Sequence, residues 1–233
     1  MYKWLDNYWY HYKWTTIIVV SFAVILTICI VQMATKETYD ITVLYTGPHI
    51  FIKEEKLSMQ NALSSVLKED NNNDGKKTVV IQDMPAFTPE QAEEAMKAAE
   101  EEGRTIIINS YSLEQVTQSF SQEVLAGESV ICLLDRYWYD KLISNDGLTP
   151  LKEVVGKEVE GAFDEYGIYL KDTAFGKFFS AFDVLPDDTI LCIRRVGIGS
   201  LVSGQKSAQK RYESSKRLFC EIINFEYPQG WTE

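Results

Sequence analysis

Few residues of this 233-residue chain have the types and the spacing that catalysis requires. The sequence holds two histidines, His11 and His49, and His11 stands in an aromatic segment near the amino terminus. His49 would therefore have to act as the base of any histidine-dependent hydrolase, and no Gly-x-Ser-x-Gly elbow accompanies it. The segment Gly197–Gly199 begins like a dinucleotide-binding fingerprint, but Val202 stands where the third glycine belongs. We therefore expect no enzyme activity and no cofactor.

Two further groups of residues resemble metal sites without completing one. Asp70–Gly75 has oxygen-bearing side chains at its first, third and fifth positions and glycine at its sixth, as a calcium loop begins. Ile81 stands at the twelfth position, where a bidentate glutamate belongs, so a polar turn is the simpler interpretation and calcium binding stays open. Cys132, Cys192 and Cys220 stand apart in apolar segments, which is typical of buried thiols rather than of a zinc site. Their disulfide state stays open as well, because an odd number of cysteines leaves at least one unpaired.

The charge distribution divides the chain into two parts. The formal net charge is −11, of which residues 1–35 contribute +1 and residues 36–233 contribute −12. An acidic surface of this kind repels the phosphate backbone of nucleic acids. We therefore predict that no nucleic acid is a partner of this protein.

Aromatic and polar residues follow the ends of three predicted strands, and in open α/β sheets ligands bind beside the loops at the carboxyl ends of the strands. The predicted ligand-binding residues are Tyr45, Gly47, Ser110, Tyr111, Asp135, Tyr137 and Trp138. The aromatic rings would stack on a sugar, and Asp135 would accept hydrogen bonds from its hydroxyl groups. The alternative is that Tyr137, Trp138 and Tyr139 pack as the core face of a short helix.

The elements that must position these residues alternate between short β-rich runs and amphipathic helical stretches. This alternation is typical of an α/β domain with a mostly parallel sheet flanked by helices. The predicted strands are 41–45, 79–81, 106–108, 130–134, 168–170 and 189–196. The predicted helices are 54–68, 89–102, 112–126, 136–142 and 206–224, with an aromatic stretch at 175–182.

Residues 15–34 form a run of twenty residues without a charge. A helix of that length is about 30 Å long, which matches the hydrocarbon core of a bilayer. Apolar residues occupy every face of the helix, so no polar side is available to face water. The preceding residues 1–14 include seven aromatic residues, whose rings settle at the depth of the lipid headgroups. We therefore predict a transmembrane signal anchor over residues 15–35, with the lipid bilayer as its partner.

The lysines beside the apolar run predict its orientation. Lys3 and Lys13 precede the run, whereas Lys36 is followed closely by acidic residues. Because positively charged flanks stay in the cytoplasm, we expect residues 1–14 to form a short cytoplasmic flank. Residues 36–233 are then an extracytoplasmic α/β domain on a single-pass membrane protein.

Four consecutive segments form the most specific pattern of the chain. They are a helical stretch over 113–126, a strand over 130–134 that ends in Asp135, a short helix over 137–142, and the turn Gly147-Leu148-Thr149-Pro150-Leu151. This pattern resembles extracellular solute-binding proteins of the bacterial ABC importer type. The strand 41–45 with the loop Thr46-Gly47-Pro48 is also similar to that family's first strand and its ligand-facing loop.

The resemblance implies one lobe of a type 2 periplasmic-binding-protein fold. Solute-binding proteins close two α/β lobes around a ligand, and only about 80 residues follow Leu151 here, too few for a second lobe. The resemblance implies a membrane-anchored, non-catalytic module that captures a small ligand such as a sugar or a peptide. The alternative, which the missing lobe favours, is a structural or interaction protein that docks onto another cell-envelope component and binds no small molecule.

Overall fold

The structure is a computed structural model that describes residues 3–35, 39–101, 103, 111–126, 129–195 and 205–228. The chain divides into two compact units, residues 1–38 and residues 39–233. This division lies three residues beyond the boundary that the sequence predicts.

The first unit contains helix α1 (Lys3–Thr35), which has no glycine or proline along its length. Its segment Tyr8–Gln32 is long and apolar enough to cross a membrane, with a mean hydropathy of 2.6 and no buried residue. The expectation of a helix with the length and composition of a membrane span is therefore confirmed. Because α1 begins at Lys3, the aromatic flank continues directly into the apolar run as one helix.

The second unit is built on a five-stranded sheet. Its strands are β1 (Ile41–Gly47), β2 (Val79–Pro85), β3 (Ile131–Leu134), β4 (Gly167–Tyr169) and β5 (Ile190–Ile193). The strand order is β2-β1-β3-β5-β4; β1 is parallel to β2 and β3, and β5 is antiparallel to β3 and β4. Four strands therefore run in one direction, which confirms the α/β class and the mostly parallel sheet. The predicted strand over residues 106–108 lies outside the described residues.

The predicted strand over residues 189–196 is shorter in the structure. β5 pairs with β3 along four residues, and beyond them Arg194 forms an isolated bridge with Leu148. The β-rich run continues further in the sequence, but a strand extends only as far as its neighbours offer backbone partners.

The helices that accompany the sheet are α2 (Lys53–Val66), α3 (Pro89–Glu101), α4 (Tyr111–Ala126), α5 (Arg136–Ser144), α6 (Leu151–Val155), α7 (Ala174–Phe178) and α8 (Gln205–Ile223). The sequence predicts α2, α3, α4, α5 and α8 to within a few residues, and α7 falls in the predicted aromatic stretch. The sequence does not predict α6, because five residues are too few to show a helical period.

Two apolar clusters cover the two faces of the sheet. β1 supplies Val43 and Tyr45 to one cluster and Leu44 to the other, because successive side chains of a strand point to opposite faces. Helices α2 and α8 contribute to the first cluster, and α4 and α5 to the second. The second unit is therefore a three-layer arrangement of helices, sheet and helices.

Candidate functional site

The carboxyl ends of β1 and β3 meet where the strand order reverses. β2 and β3 lie on opposite sides of β1 in the sheet. Helix α2, which connects β1 to β2, packs on one face of the sheet, whereas α4, which precedes β3, packs on the opposite face. The two connections therefore diverge at these strand ends. Open α/β sheets bind their ligands at such switch points. We call this place, formed by residues 45–47 and 135–138, the switch-point edge.

Tyr45 and Gly47 form a closely packed turn at the end of β1. The Tyr45 ring is buried and lies edge-on to Phe51, with 4.8 Å between the ring centroids. Its hydroxyl accepts the backbone N–H of His49 over 3.0 Å, and burial raises the pKa of the phenol. A Cβ atom on Gly47 would lie 2.9 Å from that hydroxyl, so a larger residue displaces the ring. Tyr45 thus serves packing, and its ring has no exposed face on which a sugar could stack.

Asp135 is buried at the end of β3 and caps helix α5. Its Oδ1 accepts the backbone N–H of Trp138 over 3.1 Å, and its Oδ2 accepts the side-chain N–H of Gln91 over 3.0 Å. Burial raises the pKa of this carboxyl group, against the opposing effect of the two hydrogen bonds. An ionised carboxylate has about four acceptor positions, so the two bonds leave capacity for a ligand.

The adjacent aromatic residues of α5 have different environments. Trp138 is 1% exposed and packs on Phe120 of α4, with 4.7 Å between the ring centroids. Tyr137 is 42% exposed, and the Nζ of Lys141 lies 5.5 Å from the centroid of its ring. The alternative interpretation, core packing, therefore describes Trp138, and only Tyr137 presents a ring to solvent.

The structure describes no side chain for the remaining two predicted ligand residues. Ser110 lies outside the described residues, and Tyr111 is the first residue of α4, with its side chain outside the described part. The structure thus brings five of the seven predicted residues together at one edge of the sheet.

Thr46 lies at the centre of this edge and is not one of the seven predicted ligand-binding residues, although the resemblance includes it in the loop Thr46-Gly47-Pro48. Thr46 is fully buried, and its Oγ1 has no hydrogen-bond partner among the described residues. Its backbone carbonyl accepts the N–H of Asp135 over 3.0 Å. An unpaired buried hydroxyl is unfavourable by about 1–3 kcal/mol. Threonine is common in strands, so its residue type alone did not separate Thr46 from ordinary packing.

Two pairs of polar side chains stand beside this edge. The Nε2 of His49 lies 3.0 Å from the Oε2 of Glu55, which also accepts the backbone N–H of Ile52 over 3.1 Å. The hydrogen bond with His49, followed by the bond from Ile52, lowers the pKa of Glu55. Lys56 of α2 forms an ion pair with Asp83 near the end of β2. The strand ends are therefore surrounded by polar groups that are partly exposed.

Asp188, in the turn before β5, is a second residue of this region that sequence analysis did not identify as part of a site. Its charge contributes to the raised pKa values of both Tyr45 and Asp135, after the larger effect of burial. Its carboxylate therefore acts on the same edge as Asp135. The edge has an acidic character, which suits ligands that carry hydrogen-bond donors or a positive charge.

The calcium-like segment Asp70–Gly75 is a turn held by its own side chains. The two oxygens of Asp70 accept the backbone amides of Asn73, over 2.7 Å, and of Gly75, over 2.8 Å. Asn73 and Gly75 both adopt a positive φ, of 59° and 83°. Within the described parts of the chain, no three His, Cys, Asp or Glu residues are grouped to hold a metal ion. The geometry is that of the polar turn.

Three surface cavities are lined by described residues elsewhere in the unit. One of about 460 Å³ lies between segments 157–160 and 223–226, and one of about 230 Å³ lies between the end of α2 and α8. A third, of about 180 Å³, lies beside Asp40 and Lys210. None of these three cavities is lined by residues of the switch-point edge.

Comparison with known proteins adds no family to this geometry. No protein-family model matches the chain, and no curated protein or solved structure is significantly similar to it. The resemblance to solute-binding proteins therefore stays a prediction.

Proposed function

We propose that the protein is a membrane-anchored, extracytoplasmic α/β module of the solute-binding type. In this proposal α1 is a single-pass anchor in the cell membrane, residues 1–14 are cytoplasmic, and the second unit is extracytoplasmic. The module has no catalytic activity and captures a small polar ligand, such as a sugar or a short peptide. The observation that supports it is the topological switch point between β1 and β3, where open α/β sheets bind ligands.

Three groups at the switch-point edge would recognise the ligand. The Thr46 hydroxyl lacks a partner among the described residues, and the Asp135 carboxylate keeps unused acceptor positions. Tyr137 offers an exposed ring on which a sugar ring or a peptide plane would stack. Because Thr46 is fully buried, a ligand reaches it only after side chains at the edge rearrange.

A thermal-shift screen of the full chain in detergent, with monosaccharides and with dipeptides and tripeptides as probes, tests this proposal. A probe at 100 times its dissociation constant adds about 2.7 kcal/mol to the free energy of unfolding. A panel in which every probe leaves the melting temperature unchanged contradicts capture of these two ligand classes.

The variant Thr46→Val assigns a positive result to the switch-point edge. Valine keeps the shape of threonine and removes the unpaired hydroxyl, so we expect the free protein to gain about 1 kcal/mol and to bind the probe at least tenfold more weakly. Thr149→Val is the matched control, because Thr149 is also buried with an unpartnered hydroxyl. The backbone N–H of Thr149 donates to the carbonyl oxygen of Ile193. Ile193 is the last residue of β5, whereas the switch-point edge lies beside the first residue of that strand, so Thr149 is far from the edge. Equal loss of binding in both variants would contradict the placement of the ligand.

The loop after β1 favours a second function, docking onto an apolar surface of another cell-envelope protein. Ile50 is 63% exposed and Ile52 is 58% exposed, and these two side chains are the apolar groups that this loop offers to a partner. In native membranes, chemical cross-linking should join the wild-type protein to its partner. The double variant Ile50→Ser/Ile52→Ser should lose this cross-link while its melting temperature stays the same. Retention of the partner would contradict docking through this loop.

A further inference from the structure

Cys132 of β3 and Cys192 of β5 lie directly opposite each other in the sheet. The antiparallel register pairs these two residues, and both are fully buried in the same apolar cluster. Residues directly opposite in an antiparallel pair project their side chains from the same face. Both cysteines are free in the structure.

The backbone spacing at this pair is that of a disulfide. The backbone N–H of Arg194 donates to the carbonyl oxygen of Val130 over 2.8 Å, so Val130 and Arg194, which are also opposite each other, form a hydrogen-bonded pair. Such pairs recur at every second position, so Cys132 and Cys192 also form one, with Cα atoms about 5.5 Å apart. Disulfides most often join Cα atoms about 5.5–6 Å apart. In a hydrogen-bonded pair the Cβ atoms are about 5.5 Å apart, which is about 1.7 Å more than the mean separation in a disulfide, so a bond requires the two short strands to move closer together at this pair.

The other two cysteines are not placed to compete for this bond. Cys29 lies in α1, within the segment that is long and apolar enough to span a membrane. Cys220 lies on α8, packs against the cluster on the opposite face of the sheet, and has its Sγ 3.6 Å from the carbonyl oxygen of Val154. The sheet therefore lies between Cys220 and the opposed pair.

We propose that Cys132 and Cys192 are joined by a disulfide in the mature protein. The inference rests on the extracytoplasmic location proposed above, because disulfides persist in oxidising compartments. The oxidant is the disulfide of a thiol–disulfide oxidoreductase. One cysteine thiolate attacks that disulfide to form a mixed disulfide, and the second thiolate attacks the mixed disulfide and releases the oxidant as a dithiol. The two cysteines lose two protons and two electrons in total, and the oxidant gains both when it becomes a dithiol.

The bond forms before folding is complete, because both cysteines are fully buried in the folded state and an oxidoreductase cannot reach them there. Burial, reinforced by the neighbouring Cys132, raises the pKa of Cys192 well above its ordinary value in the folded state, so the reactive thiolate is scarce there. Once formed, the bond fastens β5 to β3. This is the junction at which the antiparallel part of the sheet meets its parallel part.

Counting free thiols of the full chain in native membranes tests the proposal. Membranes are quenched with acid, denatured, and treated with a polyethylene glycol maleimide that adds a fixed mass to each free thiol. Of the four cysteines, two should react before reduction and four after it. Cys192→Ala should give three reactive thiols with or without reduction, whereas the control Cys220→Ala should give one before reduction and three after it. Mass spectrometry should identify a peptide that joins Cys132 to Cys192.

A separate variant distinguishes failure of this inference from failure of the proposed location. Lys36→Cys, probed in intact cells with a membrane-impermeant maleimide, reports on which side the second unit lies. If this cysteine reacts and the wild-type thiols are all free, the disulfide inference is wrong and the location stands. If the cysteine at position 36 reacts only in permeabilised cells, the proposed location is wrong. In that case the purified chain is refolded from denaturant in glutathione redox buffer, which supplies the oxidant. Pairing of Cys132 with Cys192 then supports the geometric inference, and any other pairing, or none, overturns it.

Discussion

Replacement of Arg194 by methionine is expected to lower the free energy of unfolding of the second unit by about 3–5 kcal/mol. The Arg194 side chain is 4% exposed, and its guanidinium donates hydrogen bonds to the backbone carbonyls of Glu123, Val124 and Ser129. Glu123 and Val124 lie in the last turn of α4, where carbonyl groups have no partner within the helix. The arginine therefore fastens the end of α4 to the chain that leaves β5.

The magnitude follows from the groups that the substitution changes. A hydrogen bond that involves a charged group contributes about 1.5–3 kcal/mol net, and a cation at a helix carboxyl terminus adds up to about 2 kcal/mol. Methionine has a similar length but no donor, so three carbonyls lose their partner. Part of the loss is offset, because burial of the guanidinium charge itself costs several kcal/mol. For a domain of this size, the net change lowers the melting temperature by about 6–20 °C.

Urea unfolding of the full chain in detergent, followed by circular dichroism, measures this change. Arg195→Met is the matched control, because Arg195 is adjacent but exposed and its partner is the surface residue Asp146. Surface ion pairs contribute about 0–1 kcal/mol, so the control should stay within about 1 kcal/mol of the wild type. If Arg194→Met also unfolds within about 1 kcal/mol of the wild type, the guanidinium does not hold α4 as inferred.

Two further substitutions test the region around the switch-point edge. Gly47→Ala should destabilise the fold by about 1–3 kcal/mol, because the added methyl group would lie 2.9 Å from the Tyr45 hydroxyl; unchanged thermal unfolding would contradict that packing. Glu55→Gln should remove part of the acid dependence of stability, because the hydrogen bond with His49, and then that with Ile52, lowers the pKa of Glu55 below 4.5. A lowered pKa in the folded state contributes stability that is fully present above the unfolded pKa and is lost as the pH falls through the folded pKa. Unfolding curves of wild type and variant between about pH 3 and pH 7 measure the difference, and curves that stay parallel over that range would refute it.

The elements that the sequence predicts best are those with a strong local pattern. The β-rich runs of β1 and β3 and the apolar stripes of α2 and α8 all appear close to their predicted positions. The candidate site was predicted only in part, because a residue's position along a strand end does not reveal its burial. Trp138 and Tyr137 are neighbours of the same chemical type, yet one is buried and the other exposed.

The sequence by itself determined the membrane-spanning composition of α1, the α/β class and the position of Asp135 after a buried strand. These properties depend on neighbouring residues, and their signal is contained within a short segment. Only the tertiary structure decided that β1 and β3 are parallel neighbours at a switch point, that Thr46 is buried without a partner among the described residues, that Arg194 reaches α4, and that Cys132 faces Cys192. Each of these joins residues far apart in the chain. Such pairings are selected by burial and register across the whole sheet, and no local period encodes them.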